Sequence, residues 1–153
     1  MNRILWGFLL ILNYVAVSAQ QDSIYIDAEI TANNRQISVT QEIIYTNKSA
    51  IGQDTIKLLN WTAAYKNRNT PLAKRKLEDR KNDLHFATQK NLGSIENLEI
   101  KIGSQDIIEV PAFSENIFLP LSSSLKSGEK IKISLQYLIN LPSAKFTGYG
   151  SDG

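Results

Sequence analysis

Apolar and polar residues alternate along most of the chain, and this period of two predicts β-strands. The first alternating segment is expected to turn one row toward a core and the other toward water, and the apolar row is Ile24, Ile26, Ala28 and Ile30. Asn33 and Asn34, which tolerate positive φ, separate it from a second segment that has on one face Ile37, Val39, Ile43 and Tyr45. The two segments predict a β-hairpin.

Further alternating segments follow at short intervals. The segment TIKLLNW has apolar residues on both sides, as expected of a strand covered on both faces. Leu98, Ile100 and Ile102 alternate with charged residues, and the turn GSQD leads into the short run IIEV. The last two apolar rows are Ile117, Leu119 and Leu121, and then Ile131, Ile133, Leu135, Tyr137 and Ile139, after which comes Pro142. About seven or eight short strands predict a mainly β domain, an antiparallel β-sandwich or saddle.

One stretch interrupts the alternation: NTPLAKRKLEDRKNDLHFA, from Asn69 to Ala87. Thr70 suits a helix N-cap and Pro71 the first helical position, so a short helical insertion is predicted at about 70–84. Its apolar residues form one narrow stripe, made of Ala73, Leu77 and Leu84. The spacing also predicts two i, i+4 ion pairs, Lys74 with Glu78 and Arg75 with Asp79. We therefore expect a solvated helix that packs loosely on the sandwich.

Three kinds of functional site compete with a solvated helix in this stretch. A nucleic-acid site is disfavoured because acidic residues are interleaved with the basic ones and the formal net charge is only +2. A zinc site is disfavoured because His85 is the single histidine and the chain has no cysteine. A Ser-His-Asp site would have to use His85, and neither GxSxG nor a phosphate-loop pattern occurs. The sequence thus predicts no catalytic, cofactor-binding or metal-ligating residue in this chain.

The amino-terminal segment has the pattern of a secretory signal peptide. Arg3 precedes an apolar run from Ile4 to Leu12, and small residues end at Ala19, which predicts a signal peptide over 1–19. The run is shorter than the roughly 20 apolar residues of a spanning helix, so no membrane span is expected after cleavage. The remaining chain is predicted to form a β-sandwich domain over 20–145, followed by a Gly-rich segment, 146–153, that looks like a linker toward a missing domain.

Several blocks of the sequence resemble a known family. NTPLAKRKLEDRKNDLHFA, with LLNWTAAY before it and GSIENLEI after it, resembles the amino-terminal domain of exported bacterial zinc metallopeptidases of the gluzincin, aminopeptidase-N-like type. IYIDAEITANNRQISVTQEIIYTNKS looks like the opening strands of that domain, and LKSGEKIKISLQYLINLP looks like its closing strand. In that family a β-sandwich or saddle packs on a thermolysin-like domain that holds HExxH and zinc. This chain has no HExxH, so no catalytic or zinc residue is implied here.

The resemblance implies a non-catalytic domain of a secreted or periplasmic zinc metallopeptidase. Its partner would be the catalytic domain of the same parent protein, with zinc bound there, and it would shape the cleft for a peptide substrate. Such a domain should expose an apolar surface toward its partner. The alternative is a free-standing exported β-sandwich that binds a protein or a glycan through its loops, and it predicts a closed, polar surface. A stand-alone hydrolase would need a reactive centre that the sequence does not supply.

Overall fold

A computed structural model describes residues 21–31, 35–105 and 114–148. The strands are β1 (Ser23–Thr31), β2 (Gln36–Thr46), β3 (Gln53–Leu59), β4 (Ser94–Ile102), β5 (Asn116–Leu125) and β6 (Lys130–Asn140). The helices are α1 (Pro71–Glu78) and α2 (Ala144–Thr147), with short 3₁₀ helices at Trp61–Tyr65 and Gln89–Asn91. The predicted signal peptide, the run IIEV and most of the predicted linker lie outside the described residues.

The strands form two antiparallel sheets. One sheet has four strands in the order β1-β2-β6-β4, and the other pairs β3 with β5. The predicted hairpin is confirmed, because β1 pairs with β2 from Ser23 opposite Ile44 to Thr31 opposite Gln36. The chain is therefore mainly β, as predicted, with six strands in the described residues.

The main core lies between the two sheets. Its buried residues come from four strands, and they are Ile56, Ile100, Ile102, Ile117, Leu119, Ile133 and Leu135. The apolar rows predicted for β5 and β6 are confirmed, since Leu119 and Ile133 are 0% exposed. Burial of these aliphatic side chains holds the sheets together, because each buried Ile or Leu contributes about 1.5–3 kcal/mol of transfer free energy.

A bulge in β4 changes which side of the sheet the residues after it face. Ile95 lies opposite Ile139 and Ile100 lies opposite Leu135, and the register shifts between Glu96 and Glu99. Asn97 provides the extra residue at φ 52, a left-handed conformation that asparagine tolerates better than most residues. Ile95 and Ile100 are five residues apart and would face opposite sides of a regular strand, but with the bulge both can face the same side of the sheet.

The buried side chain of Asn47 joins the two sheets at one end. Asn47 is 0% exposed, and its Nδ2 donates to the carbonyl oxygens of Ile51 at 2.8 Å and Leu125 at 2.7 Å. Its Oδ1 accepts from Ser49 N at 2.9 Å and from Ser49 Oγ at 2.7 Å. The backbone NH of Asn47 also donates to the carbonyl of Glu129. One amide thus fixes the end of β2, in the larger sheet, against the end of β5, in the smaller one.

The helical insertion forms where it was predicted, but it is shorter. The Thr70 side chain accepts a hydrogen bond from Ala73 N at 3.2 Å and caps α1, with Pro71 at the first position. The helix ends at Glu78 rather than near 84, and Arg80 turns the chain away at φ 59. In this part of the chain neither predicted ion pair forms, Lys74 with Glu78 or Arg75 with Asp79.

A second, smaller cluster anchors the insertion. Ala73 and Leu84 are each 1% exposed and pack with Phe146 of α2, whereas Leu77, predicted to share their stripe, is 43% exposed. Lys76 Nζ donates to the carbonyl oxygen of Phe146 at 2.6 Å. The insertion is therefore held more firmly than its thin stripe suggested, and residues of the predicted linker contribute to that packing.

Candidate functional site

The apolar row of β1 is exposed, which contradicts the sequence-based expectation that it faces a core. Ile24, Ile26 and Ile30 are 59%, 62% and 71% exposed. They lie opposite Ile43, Gln41 and Ile37 of β2 and so share the sheet face that bears the main core. The smaller sheet covers that face over β4 and β6 but leaves it open over β1.

A cleft of about 240 Å³ lies next to this open row, between the two sheets. It is lined from the larger sheet by Gln41, Ile43, Ile95, Leu98, Leu135, Tyr137 and Ile139, and from the opposite side by Leu58, Leu59, Asn60, Trp61 and Ile117. Because Gln41 and Ile43 are the direct neighbours of Ile26 and Ile24, the cleft continues onto the exposed row. We call the inner side of β1, together with this cleft, the apolar face.

Asn60 and Trp61 form the rim of the cleft, and local hydrogen bonds hold them there. β3 ends at Leu59, and Asn60 N donates to the carbonyl of Glu115 at 2.9 Å. Thr62 Oγ1 donates to Asn60 Oδ1 at 2.6 Å, and Asn60 caps the 3₁₀ helix through Ala63 N. Trp61 is left 53% exposed, with its ring edge-on to Tyr65 at 6.2 Å between centroids. The expectation that β3 is covered on both sides is wrong, because Leu59 is 77% exposed.

Two polar side chains of the cleft are paired with each other. Tyr137 Oη donates to Gln41 Oε1 at 2.9 Å. Burial raises the pKa of Tyr137 above its usual value, so the hydroxyl is neutral and remains a donor at physiological pH. The pair fixes two polar side chains inside a mainly apolar lining. This arrangement suits recognition of an apolar partner better than proton transfer.

A second, larger groove, which we call the polar groove, is lined mostly by polar and charged side chains. It has a volume of about 990 Å³ and is lined by Arg35, Lys66, Asn67, Gln89, Lys90, Leu92, Gly93, Ser94, Glu96, Asn140 and Leu141. The Arg35 guanidinium donates to the carbonyls of Lys90 at 3.0 Å and Leu141 at 3.4 Å. Asn140 Nδ2 donates to Glu96 Oε1 at 2.6 Å. Several of its polar groups are thus already engaged within the chain.

The single histidine of the charged stretch packs against an aromatic ring. His85 lies against Phe86, with ring centroids 4.9 Å apart in an edge-to-face arrangement. Within residues 21–31, 35–105 and 114–148, no three His, Cys, Asp or Glu side chains cluster closely enough to hold a metal ion. The resemblance predicted an exposed apolar surface but not its position on β1, because alternation identifies residues that share a face without identifying what covers them.

Comparisons with known proteins add no assignment. A scan against protein-family models and a search of curated proteins found no match to the chain. In the part that the structure describes, no helix has the length and apolar character needed to cross a membrane. The geometry of the chain and the resemblance of its sequence blocks are therefore the basis for a functional proposal.

Proposed function

We propose that this chain is the non-catalytic amino-terminal domain of a secreted or periplasmic zinc metallopeptidase of the aminopeptidase-like gluzincin type. In this proposal the domain packs on the catalytic domain of the same parent protein through the apolar face. The catalytic domain binds the zinc and hydrolyses the peptide, and the β-sandwich shapes one wall of the substrate cleft.

The observation that supports this proposal is the uncovered row of β1. Three isoleucines in register are each more than half exposed, and Trp61 stands at the adjacent cleft with 53% of its surface exposed. Contiguous apolar surface of this kind is unfavourable in water and typically marks an interaction site. A free-standing sandwich was expected to show a closed, polar surface instead. The exposed row therefore favours a domain that has a partner.

The first experiment is an immunoblot of the source cells with an antibody raised against this chain. A band much larger than 17.2 kDa is expected, and the longer product should bind zinc and cleave amino-terminal residues from peptides. A band at or slightly below 17.2 kDa, with no longer product, would overturn the proposal.

The docking claim is then tested in the longer product by Ile26→Asp combined with Ile30→Asp. A carboxylate placed in a buried apolar interface is strongly unfavourable, so we expect the two domains to separate more readily under limited proteolysis. Ile51→Asp is the matched control, because Ile51 is 74% exposed and lies in the turn between β2 and β3, outside the apolar face. Equal proteolysis of the two variants would contradict docking at β1.

The polar groove favours a second candidate, an exported module that binds a glycan. Its lining offers amide, hydroxyl and ammonium groups from Asn67, Gln89, Ser94 and Lys90. These are the donors and acceptors that hydrogen-bond sugar hydroxyls. A short native product that is retained on a glycan array would establish this candidate in place of the first, provided that the variant with Asn67→Ala and Gln89→Ala is not retained.

A further inference from the structure

We propose that β1 binds an extended segment of a partner by strand addition, and that this segment alternates aliphatic residues with lysine or arginine. The inference goes beyond the proposed function, because it specifies a mode of recognition and a partner chemistry that do not depend on the partner being a peptidase. It is carried by three features of the same strand: its free backbone edge, its inner row and its outer row.

The backbone of β1 is available on one side. β1 is the terminal strand of the four-stranded sheet as far as the structure describes the chain. All nine of its residues are in register with β2, so the strand has no bulge along its length. In an antiparallel pair every second residue directs its NH and C=O away from the partner strand. β1 therefore presents an ordered series of donors and acceptors that matches another strand.

The inner row sets the first requirement on the bound segment. Ile24, Ile26 and Ile30 project on the core side of the sheet, and each is more than half exposed. A strand added beside β1 would place every second side chain of its own on that side. Aliphatic residues at those positions would cover the isoleucines and extend the apolar face by one strand.

The outer row sets the second requirement, through its charge. It contains Tyr25, Asp27 and Glu29, all exposed. Their direct neighbours on β2 are Glu42, Thr40 and Ser38, and Glu42 is already paired with Lys132. In the described ranges Asp27 and Glu29 form no ion pair. Lysine or arginine on the outer side of the added strand would lie opposite these carboxylates and complement them.

The same charges disfavour a second copy of this chain as the occupant. Antiparallel pairing of two β1 strands centred on Ala28 would set Asp27 of each copy opposite Glu29 of the other. Like charges directly opposite each other are destabilising in a sheet. β1 also lacks the lysine and proline residues that commonly protect an edge strand from pairing. The edge of β1 can thus pair with another strand, and the carboxylates of its outer row favour a strand with basic outer residues.

The test uses a synthetic peptide in which lysine alternates with valine over about eight residues, the length of an ordinary strand. Binding to the purified chain is followed by the amide resonances of the chain and by their exchange with solvent. We expect shifts and slower exchange concentrated in β1, with weaker changes in β2. A peptide with glutamate in place of lysine is expected to bind at least about tenfold more weakly, since two opposite-charge contacts become like-charge contacts.

The matched variant is Asp27→Lys combined with Glu29→Lys, which changes exposed side chains and leaves the core intact. Its amide spectrum outside β1 should be unchanged, and its preference should reverse, so that the glutamate peptide binds more tightly than the lysine peptide. A lysine peptide methylated on alternate backbone nitrogens, which cannot complete the ladder, should not bind. Equal binding of both peptide charges, retained binding of the methylated peptide, or formation of a β1–β1 dimer would each overturn the proposal.

Discussion

Replacing Asn47 by alanine tests whether one buried amide holds the two sheets together. The substitution removes four side-chain hydrogen bonds, two donated by Nδ2 and two accepted by Oδ1. The bond to the Leu125 carbonyl is fully buried, so that oxygen would lose a hydrogen bond that water cannot readily replace, at a cost of about 1–3 kcal/mol. The bonds to Ile51 and Ser49 are nearer the surface, where water can replace part of each. Together we expect a loss of about 2–4 kcal/mol in the free energy of unfolding.

Urea denaturation followed by tryptophan fluorescence measures this loss. With a slope of about 2 kcal/mol per molar urea, the midpoint should fall by about 1–2 M while the slope stays constant. Asn82→Ala is the control, because Asn82 is exposed and its side chain has no hydrogen bond in the described chain; its midpoint should move by no more than about 0.2 M. If Asn47→Ala behaves like the control, water replaces the amide, and the claim that Asn47 holds the two sheets together is refuted.

Three further outcomes are expected. Leu84→Ala should lower the free energy of unfolding by about 2–4 kcal/mol in the same urea assay, whereas Leu77→Ala, at a half-exposed position, should lower it by less than about 1 kcal/mol. Thr70→Ala should cost about 1 kcal/mol, because the hydroxyl caps α1 and also donates to the Ala64 carbonyl, and Thr70→Ser should restore most of it; equal losses would show that the hydroxyl contributes nothing. The hydrogen bond from Lys48, followed by the one from Thr46 N, lowers the pKa of Asp22 in the folded chain. The ionised Asp22 therefore stabilises the fold above the ordinary pKa of 3.8, and this contribution is lost as the pH falls through the lower pKa of the folded chain. Asp22→Asn should therefore flatten the acid limb of a stability profile measured against pH, and an unchanged limb would contradict this assignment.

Alternation predicted strands and shared faces well, because it reports a property of the strand itself. The rows of β2, β5 and β6 fall on the predicted sides, and Ile133 and Leu119 lie in the centre of the core. Whether a face is covered depends instead on where a strand lies in the sheet. β1 has the same alternation as β6, yet β6 lies under the smaller sheet and β1 lies beyond it. No local pattern separates the two cases, and for that reason the position of the apolar face on β1 was not predicted.

Two other differences have local causes that the sequence signals only weakly. The end of α1 depends on Arg80 in a left-handed conformation, a position at which glycine or asparagine would have been the usual indication. The bulge in β4 depends on Asn97. An asparagine within an alternating segment does not by itself indicate a bulge, which becomes visible only when the pairing of β4 with β6 is known. The cleft is assembled from several strands and one 3₁₀ helix, so its lining follows from sheet order rather than from any one segment.

The burial of Asn47 has a consequence for producing the protein. Asn47-Lys48-Ser49 and Asn60-Trp61-Thr62 both match the acceptor pattern for N-linked glycosylation, but the two asparagines are only 0% and 2% exposed in the folded chain. A glycan is bulky and belongs on a surface, and its attachment would consume the same Asn47 nitrogen that donates to Ile51 and Leu125. A host that glycosylates chains before they fold would therefore trap part of the product in a misfolded form. Expression in a host without that modification should recover the folded domain.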